Sequence, residues 1–290
     1  MREARLSWLG LALALYGVMI GISAWRWRLL LRTQDLDAGL GWLTNSLLVA
    51  TFFSNFLPSN IGGDVVRIAD TVPIAGSKTV ATTVILADRA LGLLALLVVA
   101  SSGAWLVHWE GVALPGTQLI GAGALGLATA GVLLLAVPGA AIRLLAPFAR
   151  LKPGWMEERL ARLDTALQRF RRQPGAVFLA FAGALVVQVV LVGFYLAVAY
   201  ALGIRVPLGR GLVVVPVSLV VQMAPVSING FGVREAVFSF YFAQFGFGVD
   251  AGVALSLVSA ALIMLFSLSG GLLFLARRRG SRPSPAGDPA

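Results

Sequence analysis

Long apolar stretches separated by short polar breaks dominate the chain, and this pattern predicts its elements. Five stretches approach or exceed the roughly 20 residues that a membrane-spanning helix needs, namely 7–24, 79–107, 118–137, 176–202 and 251–276. Each is predicted to be a spanning helix.

A shorter apolar segment, 42–57, leads into a break that contains Pro58, Gly62 and Gly63. Proline removes a backbone donor and glycine adds backbone freedom, so the helix should stop there. In a bilayer, a broken helix persists only where its freed backbone groups are buried in protein or line a cavity. We expect a re-entrant hairpin over 42–72, with its second helix from about Asp64 to Thr71. A plain interfacial loop is the alternative.

A second break, 225–234, repeats the first and favours the hairpin. The matching residues are Pro58 and Pro225, Ile61 and Ile228, Gly63 and Gly230, Val66 and Val233, and Arg67 and Arg234. The flanking helices of this second hairpin are predicted over 211–224 and 233–245. Corresponding interrupted segments in two halves of a membrane chain indicate a midplane binding site.

Composition agrees with a membrane protein, since 58% of the residues are hydrophobic, 12% are charged and the mean hydropathy is +0.88. The net charge of +10 comes largely from arginines beside the spans, which indicates anionic lipid and membrane orientation and not nucleic acid. The chain contains no cysteine, which excludes disulfides and thiolate chemistry.

Basic residues set the predicted orientation. The segment 138–174 carries Arg143, Arg150, Lys152, Arg159, Arg162, Arg169, Arg171 and Arg172. By the positive-inside rule this loop and the tail after Arg277 are cytoplasmic, and Trp25–Arg28 marks another cytoplasmic boundary. Apolar residues at helical spacing within the loop predict an amphipathic helix on the inner surface, which we interpret as a connector.

The predicted fold is therefore an all-α, polytopic membrane helix bundle with two inverted-topology halves. Residues 1–276 form one domain, whose halves cover about 1–137 and 175–276 and are joined by 138–174. Each half contains one broken re-entrant hairpin, and 277–290 is a disordered tail. One mismatch is that Ser256 and Ser259 occupy the region corresponding to Arg89.

Few residues suggest catalysis. Asp35 and Asp37 resemble the Asp-x-Asp pair of some glycosyltransferases, but they lie beside three arginines, and we disfavour this interpretation. His108 lies in a predicted interfacial turn. We expect no catalytic residue, no metal site and no cofactor.

Three segments resemble a known family: FFSNFLPSNIGGDVVRIAD, VILADRALGLLALL and APVSINGFGVREA. They are similar to the lysylphosphatidylglycerol synthase membrane domain, also called the flippase-like family. The resemblance implies a polytopic membrane protein that moves lipids between leaflets, without naming the lipid. Members usually have one more helix at the start, so the resemblance also implies an N-terminus outside.

The candidate substrate-binding residues lie in the two breaks and one span. They are Asn55, Pro58, Asn60, Gly62, Gly63, Asp64, Arg67, Asp88, Arg89, Pro225, Asn229, Gly230, Arg234 and Glu235. Helix N-termini and arginines suit phosphate, and the acids could pair with the arginines or meet an amine headgroup. Arg67, Arg89 and Arg234 are expected to share one midplane cavity, with Gly63 and Gly230 within roughly 15 Å, half the hydrocarbon thickness. The alternative is that these charged residues form salt bridges with a purely structural role.

We thus expect a lipid translocase, not an enzyme, in the cell (inner) membrane with a cytoplasmic C-terminus. Its partners would be membrane lipids with a phosphate-bearing headgroup, and a separate lipid-modifying enzyme is a further candidate. A membrane-embedded lipid-head transferase and an inverted-repeat carrier of a small solute remain alternatives.

Overall fold

A computed structural model describes residues 6–56, 62–111, 155–223 and 230–280, with a few short helical pieces between 122 and 130. The helices with defined bounds are α1 Leu6–Arg32, α2 Leu40–Phe56, α3 Gly62–Ala75, α4 Lys78–Trp109, α5 Trp155–Arg172, α6 Pro174–Ala201, α7 Leu208–Gln222, α8 Val233–Gln244 and α9 Val249–Gly280. These ranges contain no strand, so the all-α prediction is confirmed for them.

Four of these helices, α1, α4, α6 and α9, are long and apolar enough to cross a membrane. They correspond to four of the five predicted spans. The fifth predicted span, 118–137, lies outside the described residues except for its short helical pieces. The tail after Gly280 also lies outside them, as do Pro58, Asn60, Pro225 and Asn229.

The first span was predicted to end at Ala24, and this boundary is wrong because α1 continues to Arg32. Leu30 and Leu31 extend its buried stripe past the cluster of tryptophans and arginines. Consequently Arg26, only 7% exposed, and Trp27, fully buried, lie inside the bundle and are not headgroup markers.

The first hairpin consists of α2 and α3, which pack against each other. Gly63 contacts α2 so closely that a Cβ there would lie 2.7 Å from the carbonyl oxygen of Ala50. Near the other end of α3, Ser46 donates a hydrogen bond to Asp70 at 2.6 Å, so the two helices run antiparallel. The prediction that α3 ends before Pro73 is wrong, because the helix includes Pro73 and ends at Ala75. Packing of α3 on α2 and α4 holds this last turn in spite of the donor that Pro73 lacks.

The second hairpin consists of α7 and α8, which are also in contact. The predicted start at Gly211 is three residues late, since α7 begins at Leu208 and includes Arg210. Gly230 and Gly232 precede α8 with φ angles of 73° and 82°, a left-handed conformation that favours glycine.

A single shift in numbering relates the two halves. Arg67 and Arg234 are 167 positions apart, and adding this number to the bounds of α1–α4 reproduces those of α6–α9 to within four residues. The packing follows the same relation, because α1 packs on α6, α4 contacts α7, and α9 contacts α2. Each half therefore packs its last long helix on the hairpin of the other half.

The core lies between the two halves. Tyr16 of α1 contacts Phe194 of α6 across the two halves, with ring centroids 5.5 Å apart, and within the second half Tyr195 of α6 stacks on Phe238 of α8 at 5.3 Å. The predicted amphipathic helix of the connecting loop is confirmed as α5, which contacts α4 and α6. Leu160, Ala166 and Phe170 are its buried residues, so α5 is docked on the bundle.

Candidate functional site

A buried ion pair joins α1 to α4. Arg26 donates from Nε to Oδ1 of Asp88 at 2.8 Å, and its Nη2 lies 2.7 Å from the same oxygen. Asp88 is 4% exposed. Both charged groups are therefore removed from solvent, and each depends on the other for compensation.

Arg67 of α3 contacts the other oxygen of Asp88, with Nη2 2.9 Å from Oδ2. Its guanidinium also lies 4.4 Å from the ring centroid of the buried Trp27, a cation–π arrangement. Arg67 is 6% exposed, and its Nε has no hydrogen-bond acceptor among the described residues. Arg67 is thus held by an ion pair with Asp88 and a cation–π contact with Trp27, and its Nε remains a donor without an acceptor.

Asp64, in the first turn of α3, continues this set of charges. Its Oδ1 lies 4.0 Å from Nη1 of Arg67, and both its oxygens accept from Nε of Arg89, at 3.0 and 2.9 Å. Arg89 has a side chain that is 45% exposed. We call the five residues together the charge chain, which runs Arg26, Asp88, Arg67, Asp64, Arg89. Its signs alternate and its formal sum is one positive charge.

Arg234 belongs to a separate group on α8 and α9. Its Nε donates to Oγ of Ser256 at 2.9 Å, and its Nη2 lies 3.4 Å from Oε1 of Glu235. Ser256 donates to the same Glu235 oxygen at 2.7 Å, and Oε2 accepts from the backbone N–H of Gly232 at 2.5 Å. The carboxylate of Glu235 therefore occupies the N-terminus of α8.

The structure thus brings Asp64, Arg67, Asp88 and Arg89 together and places Arg234 with Glu235. These two groups share no partner, and α3 and α8 do not touch each other in the described part of the chain. The close backbone approach at Gly63 is made to α2. Asn55 is buried, and its Nδ2 has no hydrogen-bond acceptor among the described residues.

The Asp-x-Asp residues have different partners. Asp35 lies 3.3 Å from Arg169, whereas Asp37 accepts from Arg28 and Arg32. The hydrogen bond from Arg32 is the main cause that holds the pKa of Asp37 below its usual value, and Arg28 acts in the same direction. No group of three potential metal-ligating side chains occurs in the described residues.

Two features of the site were missed from the sequence. Arg26 was assigned to the membrane boundary, although the leucines that follow it could have shown that the helix continues. Asp70 of α3 was also overlooked; it accepts from Ser46 and lies 3.2 Å from Arg277 at the end of α9. Asp70 thereby links the first hairpin to the last helix of the second half.

The described residues form helices and no strand, and they include four apolar helices of spanning length together with buried charges, which indicates a multi-pass membrane protein. Residues 1–271 match the family model described as the lysylphosphatidylglycerol synthase TM region, so the chain belongs to that family. The resemblance found in the three sequence segments is confirmed. No curated protein and no solved structure matches the chain.

Proposed function

We propose that this protein moves a phosphate-bearing lipid between the two leaflets of the cell membrane. Membership of a membrane-domain family named for a lipid synthase supports a lipid substrate. The headgroup would travel along the charge chain while the acyl chains remain in the hydrocarbon. This role requires no catalytic residue.

The observation that carries the proposal is the state of Arg67. Arg67 is buried, it belongs to a chain of charges with one excess positive charge, and its Nε has no hydrogen-bond acceptor among the described residues. A buried donor without an acceptor costs about 1–3 kcal/mol, more for a charged group. A phosphate supplies acceptor oxygens and the matching negative charge, and guanidinium geometry suits it.

A purely structural role accounts poorly for the charge chain. Buried ion pairs contribute little net stability compared with apolar residues of similar size. Ionisable residues inside membrane segments are costly and mark substrate pathways. Five of them meeting between α1, α3 and α4 therefore favour a role in transport over one in folding.

We further infer that the two halves have inverted topology. The common shift of 167 residues and the reciprocal contacts of α4 with α7 and of α9 with α2 support an internal repeat. The basic residues of α5 and those at the end of α9 support a cytoplasmic position for both by the positive-inside rule. In this arrangement α2–α3 enters from the cytoplasm and α7–α8 enters from outside.

In the second half, Arg234 already has a hydrogen-bond acceptor and a carboxylate partner, so its charge is more fully compensated than that of Arg67. Ser256 and Glu235 occupy its Nε and Nη2 atoms. We therefore assign the first contact with the headgroup to Arg67 and a later contact to Arg234. Movement of the headgroup between the two groups would then be the translocation step.

The test is a leaflet-exposure assay in proteoliposomes of phosphatidylcholine. Separate preparations contain trace phosphatidylglycerol, phosphatidylethanolamine or cardiolipin with a fluorophore on an acyl chain, and an impermeant reductant is added outside. Translocation increases the quenched fraction above that of protein-free vesicles. If all three lipids stay at the protein-free level, the proposal is contradicted.

Two further measurements in the same vesicles separate the alternatives. A change in headgroup mass without added quenching would indicate a lipid-head transferase. Release of an entrapped solute without lipid movement would indicate a solute carrier.

A further inference from the structure

An ion pair joins the end of α9 to the hairpin of the first half. Nη1 of Arg277 lies 3.2 Å from Oδ2 of Asp70 on α3. The same carboxylate oxygen accepts from Ser46 of α2 at 2.6 Å, so Asp70 is held in place by its own hairpin. The side chains of Arg277 and Asp70 are 35% and 25% exposed, so water can replace the contact between them. We call this contact the inner ion pair.

A second ion pair joins the end of α4 to the hairpin of the second half. Nε of Arg210, near the start of α7, lies 3.7 Å from Oε2 of Glu110, the residue that follows α4. Arg210 is also held by its own hairpin, because its Nη1 donates to the carbonyl oxygen of Phe245 at 3.0 Å. The side chains of Arg210 and Glu110 are 22% and 43% exposed. We call this contact the outer ion pair.

The internal repeat relates the two ion pairs. Glu110 and Arg277 are 167 positions apart, which is the shift that relates Arg67 to Arg234. In each half, the residue at the end of the last long helix therefore contacts the hairpin of the other half. The signs are exchanged, since the long helix supplies the carboxylate in the outer ion pair and the guanidinium in the inner one.

The two ion pairs lie at opposite ends of α4. Asp64 of α3 contacts Arg89 of α4, and a short turn joins the end of α3 to the start of α4, so Asp70 lies beside the first part of α4. Glu110 follows the last residue of α4. The helical rise from Arg89 to Glu110 is about 30 Å, which is close to the hydrocarbon thickness. In the topology inferred above, one ion pair therefore lies near each membrane surface.

Two glycines bring the halves into close contact near these ion pairs. Gly103 of α4 lies against the backbone of Leu212 of α7. Its counterpart 167 positions later, Gly270 of α9, lies against the backbone of Leu48 of α2. A Cβ on either glycine would overlap that backbone. Each glycine precedes its ion-pair residue by seven positions, or about 10 Å of helix, so each end combines a close backbone contact with an ion pair that water can reach.

We propose that the inner and outer ion pairs are two gates, which open in turn as one half rocks against the other. When the inner ion pair separates, the contact between Gly103 and Leu212 at the far end remains and acts as the pivot. Gly270 has this role when the outer ion pair separates. The glycine contact suits a pivot because no side chain has to repack, whereas a partly exposed ion pair separates at little cost.

Rocking of one repeat against the other is a motion that internal repeats in membrane transporters permit. The inference rests on the proposed function for its cargo, but the motion itself does not depend on which molecule is carried.

The test measures distances across both ends in proteoliposomes of phosphatidylcholine and phosphatidylglycerol. Because the chain has no cysteine, introduced cysteines can carry spin labels without further changes. Ala69→Cys with Ala276→Cys reports the inner end, and His108→Cys with Leu208→Cys reports the outer end. All four positions are exposed and lie within two positions of an ion-pair residue, so both ion pairs are retained. We expect pulsed electron paramagnetic resonance to show a short and a long distance at each end.

Two charge variants test the coupling of the ends. Asp70→Asn keeps an acceptor for Ser46 but removes the charge from the inner ion pair. The ratio of long to short distance should rise roughly two- to fivefold at the inner end, the effect of losing a partly exposed ion pair, and should fall at the outer end. Glu110→Gln should have the opposite effect at each end, and it tests the same coupling if Asp70→Asn fails to fold. Asp37→Asn is the control; it removes a carboxylate whose arginine partners belong to the same half, and it should leave both ends unchanged.

Opposite changes at the two ends support the two gates. A single distance at both ends, in the labelled chain and in both charge variants, overturns the proposal. A change confined to the end that carries the substitution also overturns it, because each ion pair would then be a local contact.

The leaflet-exposure assay in the same vesicles separates this result from the proposed function. Coupled distances without lipid movement contradict the lipid cargo and support the gates. Lipid movement with unchanged distances contradicts the gates alone.

Discussion

Arg26 and Asp88 lie 62 positions apart in the chain and form a buried ion pair, with Nε donating to Oδ1 at 2.8 Å. Asp88 also contacts Arg67, so one carboxylate compensates two buried arginines from two other helices. The position of α1 against α3 and α4 thus depends electrostatically on Asp88.

The first prediction concerns this dependence. Asp88→Asn leaves Arg26 and Arg67 buried without a full counter-charge, and we expect it to lower the free energy of unfolding by about 3–5 kcal/mol. Denaturant unfolding in detergent micelles, followed by tryptophan fluorescence, measures the change. The control Asp37→Asn removes a carboxylate from a solvent-exposed contact with two arginines, and it should change the free energy of unfolding far less than Asp88→Asn does. Equal losses in the two variants would contradict the prediction.

The second prediction separates transport from folding. In Arg67→Gln, Asp88 keeps Arg26, and in Arg234→Gln, Glu235 keeps Ser256 and the Gly232 N–H. We therefore expect both variants to remain monodisperse while lipid exposure in proteoliposomes falls to the protein-free level. Arg32→Gln, at the exposed end of α1, should transport normally. Normal transport by both test variants would show that these arginines do not bind the headgroup.

A third prediction tests the close contact of the first hairpin. Gly63→Ala places a Cβ 2.7 Å from the Ala50 carbonyl oxygen, so α3 must move away from α2. We expect a loss of about 1–3 kcal/mol, the usual cost of overpacking. Gly10→Ala is the control, since a Cβ there has no neighbour within 4 Å and alanine favours the helix. A Gly63→Ala variant as stable as Gly10→Ala would rule out the close packing.

The fourth prediction concerns orientation. The chain has no cysteine, so single cysteines report accessibility directly. Ala161→Cys on α5 and Ser281→Cys after α9 should resist an impermeant thiol reagent in intact cells and react after permeabilisation. His108→Cys, at the exposed end of α4, should react in intact cells. Labelling of position 161 or 281 from outside would reverse the inferred topology and remove support for the inverted halves.

Periodicity and spacing predicted much of the fold. The four described spans, the amphipathic α5 and the short helices around each break were all recognisable, because apolar length and helical spacing are local properties of the chain. Boundaries were less accurate. Pro73 and Arg210 were expected outside helices, yet both lie inside them, because tertiary packing overrides local helix preference.

The sequence by itself determined that this is a helical membrane protein with two matching breaks, each followed by an arginine. Tertiary structure decided what those arginines contact: Arg67 meets Asp88 and Trp27, while Arg234 meets Ser256 and Glu235. It also moved Arg26 from an expected headgroup boundary into the protein interior. The physical reason is that charge compensation depends on distance in space. Helix packing joins residues that are tens of positions apart, and no local pattern records those pairings.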